Sequence, residues 1–184
     1  MSKQNSAACN ETFVSVDVET SGPNPSQYSL LSIGACLVHD RTKTFYVELR
    51  PVNHNATEEA LMISRLSLEH LDEQGVPPAE AMAHFEAWLT EVAPPNAQPI
   101  FVAFNAPFDW MFVNDYFHRF LGQNPFGYSA LDVKSFYMGV AGVCWSETSL
   151  RYATARYLEQ RPLTHHALQD ALDQAELFEK MLDS

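Results

Sequence analysis

Along residues 13–19 the chain alternates apolar and polar positions, setting Val14, Val16 and Val18 against Ser15, Asp17 and Glu19. A period of two predicts a strand with its valines on one face and both carboxylates on the other. The turn-rich TSGPNPSQ leads to a second apolar run at 30–38, and a longer loop leads to a third at 44–49. Each predicts a strand, so the chain opens as a meander. Residues 57–71 read as one or two short helices, and Pro78 opens another with Ala81, Phe85, Trp88 and Leu89 at helical spacing. Pro94 and Pro95 close it, and the short apolar run 100–104 predicts a buried strand.

Pro107 marks the start of the next helix, followed by a short strand at 130–133 and helices near 148–158 and 166–182. Strands first, then strand and helix in alternation, indicate an α/β layer fold with a mixed sheet. No repeat or long linker interrupts the chain, so a disordered tail over 1–11 and a single domain over 12–184 are expected.

Phe112, Val113, Tyr116 and Phe120 follow Asp109 at i+3, i+4, i+7 and i+11, so this acid heads the apolar stripe of its helix and should be covered. An acid that merely complements the helix dipole would be exposed instead. In the last helix Leu168, Ala171, Leu172, Ala175, Phe178 and Leu182 form the main stripe, while Asp170 aligns with Gln174, Leu177 and Met181 on a weaker one. A helix with two such stripes is covered on two sides; the alternative is a surface acid beside a partly exposed Leu and Met. His165 precedes this helix, with His166 as its competitor.

Eleven basic residues against 23 acidic ones leave a net charge of −12, which argues against a broad polyanion-binding surface and so against long duplexes. A small polyanion held through metal ions is still compatible, and Lys134, Arg151, Arg156 and Arg161 sit in the stretch leading to His165. Cys9, Cys36 and Cys144 share no metal-ligand spacing and read as reduced packing residues of a cytoplasmic protein. No run approaches the roughly 20 apolar residues of a bilayer span, so no membrane partner is expected. Against this background the first strand stands out, because like charges buried side by side are costly unless a cation neutralises them. A divalent metal site is the natural remedy, and a solvated sheet face is the bland alternative.

Three motifs in order resemble the histidine-type DEDD family of 3′-to-5′ exonucleases, which includes polymerase proofreading domains and oligoribonuclease. They are Asp17-Val18-Glu19-Thr20 followed by Ser21-Gly22; F-N-A-P-F-D with Asn105 and Asp109; and His165-His166-Ala167-Leu168-Gln169-Asp170-Ala171. The third motif's spacing selects His165 over His166. Many members carry histidine before the motif asparagine, where this chain has Phe104, expected to pack in the core.

The resemblance spans about 12–182 and implies a ribonuclease H-like fold: a five-stranded mixed sheet, its second strand antiparallel, with helices on both sides. It implies two divalent cations, Mg²⁺ or Mn²⁺, held by Asp17, Glu19, Asp109 and Asp170, with Asp17 bridging and His165 as general base. Imidazole suits that task because it ordinarily titrates at about 6.5. The implied substrate is the 3′ end of single-stranded DNA or RNA, short or frayed, released as nucleoside monophosphates. Thr20, Ser21, Gly22 and Asn105 are candidate substrate contacts, and a homodimer is among the family's states. The competing functions are an inert ribonuclease H-like binding module and an endonuclease on the same fold.

Overall fold

The computed structural model describes residues 11–94, 97–158 and 165–184. The expected tail, apart from Glu11, lies outside them, as do Cys9, Pro95 and Arg161. Strands β1 (Thr12–Thr20), β2 (Leu30–Leu37) and β3 (Thr44–Glu48) form the opening meander. Helices α1 (Glu58–Ser64), α2 (Leu68–Gln74) and α3 (Pro78–Val92) follow, then β4 (Pro99–Ala103) and α4 (Pro107–Leu121). The chain continues through β5 (Ala130–Asp132), α5 (Val133–Ala141), a single 3-10 turn (Trp145–Glu147), α6 (Leu150–Tyr157) and α7 (Ala167–Leu182).

The sheet order is β3-β2-β1-β4-β5, with β1 antiparallel to β2 and parallel to β4, and β4 parallel to β5. This is the five-stranded mixed sheet of a ribonuclease H-like fold. β1 is central, and both of its faces are covered. Val14, Val16 and Val18 pack into one core with Phe85 and Leu89 of α3 and Phe112, Val113 and Tyr116 of α4. Burying one such valine contributes about 1.5–3 kcal/mol. On the opposite face Cys36, Val102, Tyr137, Ala153 and Phe178 form a second core beneath α5, α6 and α7.

Residues 57–71 fall into two helices, begun by Thr57, which accepts from the Ala60 N–H, and Ser67, which accepts from the His70 N–H. The largest departure is α5, where no helix was expected. Asp132 ends β5 and caps α5 by accepting from the Lys134 and Ser135 N–H groups, so Val133 begins a helix instead of closing a strand. The aspartate before an apolar stretch was the available signal. A second departure is Cys144, which is exposed; Cys36 alone of the described cysteines is a packing residue.

In α7 the weaker stripe is the better covered. Asp170, Gln174, Leu177 and Met181 are all buried, whereas Leu182 of the main stripe is exposed and Leu168 and Leu172 are only half-buried. Small residues on this helix allow a close approach to the sheet, where Ser15 Oγ donates to the Ala171 carbonyl at 2.8 Å. Gly34, opposite Asp17 on β2, completes the fit: a Cβ there would lie 2.2 Å from the backbone of Ala167 and Leu168. Its missing side chain lets the first turn of α7 settle beside Asp17.

Candidate active site

The parallel strands β1, β4 and β5 end at one edge of the sheet, and the chemistry gathers there. β1 stops pairing with β4 after Ser15 and Val102, which leaves the next polar groups of this buried strand needing partners. Gln174 supplies one, donating through Nε2 to the Val16 carbonyl (2.9 Å) while its Oε1 accepts from the Phe104 N–H (2.6 Å). Asp109 supplies another, since its Oδ1 accepts from the Val18 N–H at 3.1 Å. One amide and one carboxylate thus wedge open the end of the sheet where the acids converge. The helical stripe that carries Asp170 includes Gln174, and a glutamine one turn past that acid was the available signal.

Asp17, Glu19, Asp109, Asp170 and His165 all line a single cavity of about 290 Å³, together with Phe104, Asn105, Phe108, Gln174, Leu150 and Thr154 of α6, and Leu158 just past it. Asp109 is only 5% exposed, so the reading of it as a surface acid fails. Asp170 and Glu19 are buried too, and Asp17 is half-buried. One ligand atom each from Glu19, His165 and Asp170 lie within 4.8 Å of one another. His165 takes the left-handed conformation at φ 53° just before α7, and Asn105 does so at φ 66° in the turn from β4 into α4. His166 turns away to stack on Tyr46, ring centroids 4.7 Å apart.

The electrostatics fit a cation site. Burial, reinforced by the charges of Asp109, Asp170 and Glu19, holds the Asp17 carboxyl well above the usual carboxylate range. Burial and then Asp170 push Glu19 up to about 7. Burial also raises Asp109, against the opposing pull of the Val18 N–H. Carboxylates crowded this way resist ionising together until a positive charge joins them. Clustered carboxylate oxygens are the ligand set of hard divalent ions.

The remaining candidates divide. Thr20 and Gly22 line a second cavity that shares Val18, Glu19 and Phe108 with the first and is closed by Thr57, Ala60 and Ile63. Thr20 Oγ1 donates to the Gly22 carbonyl at 2.9 Å. Ser21 is fully buried and faces inward: its N–H donates to the Ser29 carbonyl, and its hydroxyl donates to the Asn55 carbonyl while accepting from the Ser29 N–H. Those bonds occupy the groups that a nucleotide would need, so Ser21 belongs to the scaffold of the turn. Asn105 is exposed at the cavity rim. Phe104 packs on the second core, as expected, and one edge of it also borders the cavity. Phe117, Phe126 and Tyr137 are buried, whereas Tyr128 is 94% exposed.

This sheet order, with four acids and a histidine gathered at the carboxyl edge of its parallel strands, marks a nuclease of the 3′-to-5′ exonuclease class. The chain belongs to the family described as 3′-5′ exoribonuclease Rv2179c-like domain, whose model matches residues 12–182. A curated relative, 3′-5′ DNA exonuclease Cap18 of Escherichia coli, is 46% identical over 168 residues, covering 91% of this chain and 90% of the relative. The fold is shared with the nuclease domain of 3′hExo, a DEDDh family member solved with rAMP, at a TM-score of 0.79 and 13% identity over 97% of this chain and 94% of that one. E. coli Exonuclease I in complex with a dA16 oligonucleotide matches at a TM-score of 0.70 and 17% identity, over 94% of this chain and 42% of that one. No described helix is long and apolar enough to cross a membrane.

Proposed function

We propose that this exonuclease removes nucleoside monophosphates one at a time from the 3′ end of single-stranded nucleic acid, using two Mg²⁺ or Mn²⁺ ions held by Asp17, Glu19, Asp109 and Asp170. The observation that carries the reading is the convergence of these four acids with His165 in one cavity. Bound divalent ions would neutralise the phosphate and favour the nucleophilic form of water. His165 at the mouth accepts the proton of the attacking water. Its position before α7, beside Asp170, aims the ring at whatever that acid holds.

Asp109 is oriented at the cavity wall by the Val18 N–H, which donates to one of its oxygens. The neighbouring cavity of Thr20, Gly22 and Ile63 receives the terminal nucleoside, with the 3′-hydroxyl near the turn after β1. The relative Cap18, named a DNA exonuclease, favours DNA as the substrate. The net charge of −12 favours short or frayed ends over long duplexes.

The test is digestion of matched 5′-labelled DNA and RNA strands with Mg²⁺ or Mn²⁺. A ladder shortening from the 3′ end, abolished by EDTA and by Asp17→Asn, is the expected result. Equal digestion by Asp17→Asn would overturn the assignment and return the inert module to favour. Cutting of a strand with a blocked 3′ end would replace the exonuclease with an endonuclease.

A further inference from the structure

We infer that the surface beside the cavity formed by the start of α5, the 3-10 turn and α6 is the track of the incoming single strand, with Trp145 stacking a base and Lys134 and Arg151 holding phosphates. This rests on the reading above for the position of the 3′ end.

Charge singles the segment out. The chain carries 23 acidic and 11 basic residues, yet between 133 and 158 Glu147 is the sole acid, set against Lys134, Arg151 and Arg156. Arg156 is engaged locally, donating to the Ala141 carbonyl and lying over Tyr157. Elsewhere Arg41, Arg119 and Lys180 are paired with Glu179, Asp115 and Glu176. Lys134 faces an aromatic ring instead, its Nζ 4.2 Å from the centroid of Trp145. Trp145 is 57% exposed and Tyr152 52%. An exposed indole beside an ammonium group offers both contacts a single strand needs, a π-face for a base and a charge for a phosphate.

Position connects this surface to the cavity. β5 lies two strand spacings, about 10 Å, from β1, and Lys134 follows its end as Asn105 follows β4. Asp132 ties the two together, its Oδ1 accepting from the Ala106 N–H at 3.1 Å next to Asn105. Leu150 and Thr154 of α6, with Leu158 just past its end, form the cavity wall. Arg151 is exposed and lies one residue after Leu150 and one turn before Thr154, so it borders that wall on the helix surface. With the terminal nucleoside on the α1 side of the site, the rest of the strand leaves over α6 and meets Arg151, Lys134 and Trp145.

The test compares a DNA dinucleotide, too short to reach the track, with an octamer. For Trp145→Ala, KM for the octamer should rise roughly tenfold or more with kcat within twofold, while kcat/KM for the dinucleotide stays within twofold; Trp145→Phe should keep most of the affinity. Equilibrium binding of a 5′-fluorescein octamer in EDTA, where hydrolysis is absent, should show the same loss. Lys134→Ala should lower the slope of log affinity against log salt by about 0.7. Octamer affinity within twofold of wild type for Trp145→Ala, or an equal loss on dinucleotide and octamer, overturns the track. If the wild type shortens neither strand but loses octamer binding in EDTA on Trp145→Ala, the track stands and the nuclease reading falls.

Discussion

Replacing Gln174 with methionine keeps the length and volume of the side chain and removes its amide. The Val16 carbonyl and the Phe104 N–H, both bonded to Gln174 in a site only 5% exposed, are then left without partners. Each buried polar group so orphaned costs about 1–3 kcal/mol, so a loss of about 2–4 kcal/mol is expected after partial relaxation. For a domain of this size that lowers the melting temperature by roughly 5–15 °C.

The damage should also reach the acids, because Asp17 directly follows Val16, and Phe104 leads into Asn105 and Asp109. Thermal unfolding in EDTA reads the first effect, and calorimetric titration with MnCl₂ at a temperature where both proteins are folded reads the second. Leu89→Ala is the control: it cuts a buried side chain of α3, away from the cavity, and should cost a similar about 2–4 kcal/mol while leaving Mn²⁺ affinity unchanged. A Gln174→Met protein within about 0.5 kcal/mol of wild type would refute the wedge role. Mn²⁺ binding weakened equally by Leu89→Ala would reduce that role to general stability.

Three further outcomes are expected. Glu19 is raised from its ordinary value to about 7, so the metal-free folded state binds protons more tightly than the unfolded chain; stability in EDTA is fullest below about pH 4.5 from this group and is lost as pH rises through 7. The gap between melting temperatures with Mn²⁺ and with EDTA should therefore widen from pH 5 to pH 8, and a gap that narrows contradicts the electrostatic account. Gly34→Ala should cost about 1–3 kcal/mol and most of the activity by pushing the first turn of α7, with Asp170, off the sheet; calorimetry and digestion rates check both. His165→Ala should lower kcat by about 10²–10⁴ whereas His166→Ala, which loses a stack on Tyr46, should change it far less; equal losses would place the base elsewhere.

Much of this architecture was legible in the sequence because period and position coincide there. The alternation at Val14–Glu19 names a strand with a valine face and a carboxylate face, the second of which the structure also covers, and Pro78 and Pro107 mark helix starts that the structure keeps. The covered Asp109 followed from its place at the head of an apolar stripe. α5 did not, since its start depends on one aspartate capping two N–H groups directly after a three-residue strand. The rank of the two stripes on α7 was also hidden. It depends on Gln174 meeting two strands that separate, and on Gly34 yielding space, and neither long-range contact leaves a periodic trace. Ser21 shows the same limit: its motif position suggested substrate, while its neighbours 8 and 34 residues away occupy its hydroxyl.

The central physical claim is that acids remote in the chain form one pocket that is completed by paired divalent ions. Anomalous scattering from crystals soaked in MnCl₂ tests it most directly. The account predicts two adjacent manganese peaks enclosed by Asp17, Glu19, Asp109 and Asp170, with His165 facing them. The four carboxylates pointing apart, with no anomalous peak among them, would contradict it.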